Sequence, residues 1–213
     1  MVKVAADKPA GLRLRSLWLA MAEKGDSPLS LLLAGEARPA PHRHYPDGDV
    51  YDSLHHSQFY CHVHRAGEIG HLHLFQRSKG MPAGLTPLVP SDEDNAPCHL
   101  VAVGFGPGGD AVELFTTNRW VTGEAWYAAA AVKAMLPGWR MAATGRLAPV
   151  AAWVEALVAF YRPAIEQLID QRDAAVAVWR HGRCRGDPLN DGDLEVTSHR
   201  AIDPVADLAA LEG

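Results

Sequence analysis

Four histidines carry the clearest chemical signal in this chain: His62-Val63-His64 and His71-Leu72-His73. A neutral imidazole is a good ligand for zinc, iron, copper or nickel, with zinc–nitrogen bonds of about 2.0–2.1 Å. If Ser57 to His64 and Gly70 to Gln76 are the two strands of a hairpin, a tight turn through Ala66 to Ile69 sets His62 opposite His73 and His64 opposite His71. Side chains alternate faces along a strand and opposed Cβ atoms stand roughly 5 Å apart. All four imidazoles then converge on one patch, which predicts a site for one transition metal ion, with iron, copper and zinc undistinguished. Four ligands from one twisted hairpin do not enclose an ion, so one side is expected to stay open for water, substrate or another residue.

The reverse face of the same hairpin supports the assignment. Phe59, Cys61 and Val63 oppose Gln76, Leu74 and Leu72, a mostly apolar surface suited to a core. A slip of one residue would drive the histidines into that core. Tyr60 and Phe75 share the histidine face, making it a half-aromatic floor. Candidate catalytic groups around the metal are Tyr60, Glu68 and Glu113.

Eight of the eleven histidines lie between His42 and His73. His42, His44, His55 and His56 are weaker candidate ligands and read first as solvated loop residues. His99 opens an apolar strand and reads as a satisfied buried histidine, while His181 and His199 carry no pattern.

The elements that must hold these residues read as follows. Leu12 to Ala22 has helical spacing and stops at Gly25. Ser27-Pro28 reads as an N-cap and first helical position before a leucine run. Residues 37–57 and 80–97, rich in proline and acid, read as loops that roof the histidine face. His99 to Phe105 and Ala111 to Thr117, joined by Gly106-Pro107-Gly108-Gly109-Asp110, form a second hairpin, apolar on both faces and therefore central. Thr122 is the expected N-cap of a helix over 123–136. A long helix spans Pro149 to Arg180, with Pro163 expected to kink or split it, and Leu194 to Thr197 is a possible short strand.

The fold class is then α+β: an antiparallel meander of about four strands with helices packed on one face and a kinked long C-terminal helix. One domain over 1–213 is expected, comprising N-terminal helices (1–36), the histidine-rich loop and sheet (37–121), a helical part (122–182) and an irregular tail (183–213). At 213 residues and 48% hydrophobic content the chain can bury a substantial core. A net charge of -5 with scattered basic residues gives no footprint for nucleic acid. No apolar run approaches the roughly 18 residues of a membrane span, and no secretion signal is read at the N-terminus. Three cysteines far apart, without a CxxC pair, indicate neither a disulfide framework nor a zinc ribbon, so a reducing cytoplasm is expected.

Three strings, HSQFYCHVHR, GHLHLF and TTNRWVTGEAWY, resemble those of a family of uncharacterised bacterial proteins known only as a domain of unknown function. The resemblance covers most of the chain and supplies no activity. It implies that Asn118, Arg119, Trp120, Thr122 and Glu124 form one unit with the histidine strands. Physically, this stretch carries the chain from a strand into a helix start, where free amides favour an anion and Arg119 and Asn118 could hold a carboxylate or phosphate. His62-Val63-His64 with Glu68 also resembles the first metal motif of the cupins, although the second cupin motif is missing here. In the α-type carbonic anhydrases, too, an HxH strand and a neighbouring-strand histidine hold zinc, but the pair spacing here is far shorter.

The leading expectation is a metalloprotein, more an enzyme than a carrier, acting on a small-molecule substrate. Iron or copper would suit redox chemistry and zinc would suit water activation. A non-catalytic metal carrier or sensor and a metal-free, pH-responsive histidine cluster are the rivals. Phosphate loops, dinucleotide fingerprints and nucleophile elbows are missing from the sequence. Oligomeric state is not encoded in any pattern.

Overall fold

The computed structural model describes residues 7–64, 69–182 and 186–211. Two capped helices lead in. In α1 (Lys8–Ala22) the Asp7 carboxylate accepts from the Ala10 amide at 3.2 Å, Leu14 and Met21 are buried, and Gly25 turns the chain at φ 74°. In α2 (Pro28–Leu33), Ser27 and Ser30 form a reciprocal capping box that satisfies two otherwise orphaned amides.

A six-stranded antiparallel meander follows, in the order β1 (Tyr45–Tyr51), β2 (Ser57–His62), β3 (His71–Arg77), β4 (Pro97–Phe105), β5 (Ala111–Thr117) and β6 (Val196–Ala201). Between β5 and β6 lie α3 (Arg119–Thr122), α4 (Ala129–Met135) and α5 (Ala148–Gly182), and α6 (Pro204–Ala209) closes the described chain.

Alternation divides the sheet into two unlike faces. Phe59, Cys61, Leu72, Leu74, Val101, Val103 and Leu114 belong to one large buried cluster with Trp153, Leu157, Ile165 and Ile169 of α5. Tyr60, Phe75, Ala102 and Phe115 are equally buried but lie outside that cluster, on the histidine face. The sheet thus has an oily side under helices and a second interior of imidazoles and aromatic rings.

Several expectations are corrected. Strands number six rather than four, because residues 45–51 of the expected roof loop pair with β2 and the tail pairs with β5 over 196–201 rather than 194–197. Within the other expected roof loop, 80–97, Val89 forms an antiparallel bridge with Trp126. The expected helix over 123–136 is shorter: only α4, over Ala129–Met135, lies within it, and α3 precedes it. Thr122 does not cap it; its hydroxyl donates to Glu124 Oε1 at 3.2 Å, α3 ends on Gly123 at φ 64°, and α4 starts only at Ala129. Pro163 does not split α5, which runs through it for 35 residues. No helix of the described residues is long and apolar enough to cross a membrane.

Candidate metal centre

The β2–β3 register differs by two residues from the sequence reading. His62 faces His71 and Tyr60 faces His73, whereas His62 was expected opposite His73 and His64 opposite His71. Because side chains alternate with period two, the shift leaves every residue on its expected face. The strand ends are held from outside the hairpin. The Val63 carbonyl accepts from the His42 amide at 3.0 Å, and Gly70, at φ 117°, gives its carbonyl to the Phe105 amide of β4 at 3.0 Å. The hairpin therefore closes through a longer connection than the expected turn.

Three histidines meet as a result: one ring nitrogen from each of His62, His71 and His73 lies within 4.8 Å of the others. The Nε2 atoms of His62 and His73 are 3.1 Å apart. Two nitrogens bound to one ion at about 2.0–2.1 Å stand about 2.9 Å apart at a right angle and about 3.3 Å apart at the tetrahedral angle. The observed separation falls between the two. His71 Nε2 is buried without a hydrogen-bond partner among the described residues, the usual mark of a polar atom made for something else. The donor set therefore fits a nitrogen-loving transition metal, with the remaining positions left to other ligands.

Electrostatics keep His71 and His73 in the form that ligates. Burial lowers His71 to about 4, helped by the neighbouring His64. Burial also takes His73 well below the usual histidine value, and His99, His71, His62 and His64 push the same way. His99 falls to about 3, through burial first and Arg172 second. Neutral imidazole with a free lone pair is what a metal requires. Aromatic walls limit water: Tyr60 and Phe75 stack at 5.5 Å, and Phe115 meets His71 edge-on at 5.4 Å.

The other candidates divide. His64 stacks on His71 at 5.2 Å, beside the three-histidine group but not in it, and its Nε2 lies 3.8 Å from Glu195. His44 stacks on Tyr60 at 3.8 Å and meets His62 edge-on at 5.6 Å, while its Nδ1 is 2.8 Å from Asp49. The structure does not bring His55 and His56 to the centre. They precede β2, at the opposite end from His62, and lie against Asp52 and Tyr51. His42 is exposed and contributes its amide to Val63. Glu68 lies outside the described residues.

Tyr60 faces His73, and burial raises its phenol well above the ordinary value, so it stays protonated as a donor. Glu113 opposes Gly104, the partner of His71, so one row across the sheet links His71 to this carboxylate. Asn118 and Arg119 hold the fold together. The Asn118 amide donates to the Pro188 carbonyl at 2.8 Å, and Arg119 donates to the Glu124 carbonyl and Asn190 Oδ1.

His99 is the satisfied buried histidine that was expected, and Glu124 does join the histidine strands, but their partners were not read from the sequence. His99 Nε2 lies 3.0 Å from His73 Nδ1, and the carboxyl of fully buried Glu124 accepts from the His99 amide. Burial raises Glu124 to about 7, against the opposing pull of Arg172. Glu124 stands in the TTNRWVTGEAWY string, but only its return to β4 after Gly123 reveals the partner.

No curated protein and no solved structure matches the chain. The sequence model of one family, described as "Domain of unknown function (DUF6969)", does match, over residues 9–202. That span takes in the whole sheet up to β6 and all three histidines of the centre, and the chain therefore belongs to this family of unknown function.

Proposed function

We propose that the protein is a metalloprotein, and more specifically a metalloenzyme, holding one iron, copper or zinc ion on His62, His71 and His73. The observation that supports this most directly is the 3.1 Å approach of the His62 and His73 Nε2 atoms beside the His71 Nε2, which has no hydrogen-bond partner among the described residues. Such an ion would supply Lewis acidity or redox chemistry. The chain would supply three imidazole nitrogens, an aromatic enclosure and an open side. A structural zinc is usually closed by four protein ligands, so a three-histidine set favours catalysis over a purely structural ion.

The deciding experiment is elemental analysis of untagged, chelator-free protein beside a His62→Ala/His73→Ala variant. About one equivalent of one transition metal is expected in the wild type and none in the variant. A wild type that stays metal-free after reconstitution overturns the proposal and leaves the metal-free histidine cluster. Metal that exchanges freely with a chelator favours a carrier over an enzyme.

A further inference from the structure

Next to the metal centre lies a cavity of about 270 Å³ whose lining includes His71, Phe105, Glu113, Phe115, Thr117 and Glu195. Its size falls just under the roughly 300 Å³ where drug-sized pockets begin, which suits a small ligand. Two features show that it is built. Gly104 lies between His71 and Glu113 in the sheet, and a Cβ there would collide with the Glu113 carboxylate. The missing side chain lets that carboxylate lie across the strand toward the histidine row. Thr117 is 2% exposed, and its hydroxyl has no hydrogen-bond partner among the described residues although it lines the cavity. Leaving a buried hydroxyl unpaired is costly, so it points to a missing partner.

The lining also names the partner's chemistry. Among the described residues it contains two carboxylates and neither lysine nor arginine, so it disfavours anions. Glu113 is held at 2.7 Å by His199 and Glu195 stands 3.8 Å from His64. Phe115 gives an apolar, π-bearing wall that attracts a cation on its face. A primary ammonium is a compact charge with three donors, and Glu113, Glu195 and the Thr117 hydroxyl are three acceptors.

We infer that this cavity binds a small organic ammonium ion, its nitrogen between Glu113, Glu195 and Thr117 and its apolar part on Phe115. This names the substrate class of the metal centre. It depends on the metal reading for any reaction, but not for binding.

The test is calorimetric titration of full-length protein, chelator-stripped and zinc-loaded, with 2-phenylethylamine, and with phenylacetate and 2-phenylethanol as anionic and neutral counterparts. Saturable one-site binding of the amine is expected in both forms, with no saturation by phenylacetate. Glu195→Gln should weaken it about tenfold or more, the loss of one charged hydrogen bond. Gly104→Ala should weaken it as well by displacing the Glu113 carboxylate while every charge is kept, and circular dichroism confirms that both variants fold. Equal binding of the anion or the alcohol, or no saturation by the amine in folded wild type, overturns the inference. Amine binding to a protein that takes up no metal would sustain the cavity and sink the metal centre; a loaded centre that ignores the amine would do the reverse.

Discussion

His73 Nδ1 lies 3.0 Å from His99 Nε2, while the other nitrogen of His73 points to His62. Metal-binding histidines commonly donate their second N–H to an acceptor that fixes tautomer and ring angle. Here the acceptor is another imidazole, which burial keeps neutral. If His99 positions His73 in this way, His99→Leu should lower metal affinity by about 10–100-fold with the three ligands intact. His99→Gln, which offers an amide oxygen near the same place, should recover much of that loss. Competition with a chromophoric chelator measures both, and a Leu variant of undiminished affinity would make His99 a packing residue only.

Glu124 should write a recognisable slope into stability against pH. Its carboxyl titrates near 4.5 when unperturbed and at about 7 in the fold. Between those values the unfolded chain loses the proton first, so stability is fullest below about pH 4.5 and falls as pH rises to about 7, by a few kcal/mol at most. Urea denaturation of wild type and Glu124→Gln across pH 4–8 isolates the effect as a difference. Parallel curves would mean that Arg172 compensates the buried charge.

Replacing the outlying histidines should leave the centre loaded. His55→Ala and His56→Ala remove rings at the wrong end of β2, and His44→Ala removes a ring already held by Asp49 and Tyr60. Metal content per chain is expected to match wild type in all three. Loss in His44→Ala alone would enlarge the ligand set to four.

Gly70 enters β3 at φ 117°, and a Cβ there would stand 3.2 Å from the Cys61 sulfur. Gly70→Ala should therefore destabilise the fold by about 1–3 kcal/mol through backbone strain. It should also loosen metal binding, because the strain sits next to His71. The denaturation midpoint and the chelator competition read the two effects separately.

The two faces of the hairpin were legible in the sequence because alternation is local: His62, His71 and His73 share a side whatever the register, so long as it shifts by even steps. The capping of α2 by Ser27, the glycine-rich turn before Asp110 and the length of α5 were legible for the same reason, each being decided within a few residues. Register, partner strands and second contacts depended on distant chain. Residues 45–51, with Pro46 and Gly48, carry little strand propensity and become β1 only because β2 offers an open edge. That His64 stands beside the three-histidine group and not in it shows only in the folded hairpin. Joining His99 to His73, folding Glu124 back onto β4 and turning Glu113 across Gly104 all required the assembled sheet. Sequence by itself determined which chemistry was available and on which face. Tertiary structure decided which atoms meet, because strand pairing and burial are paid for by contacts between residues far apart in the chain.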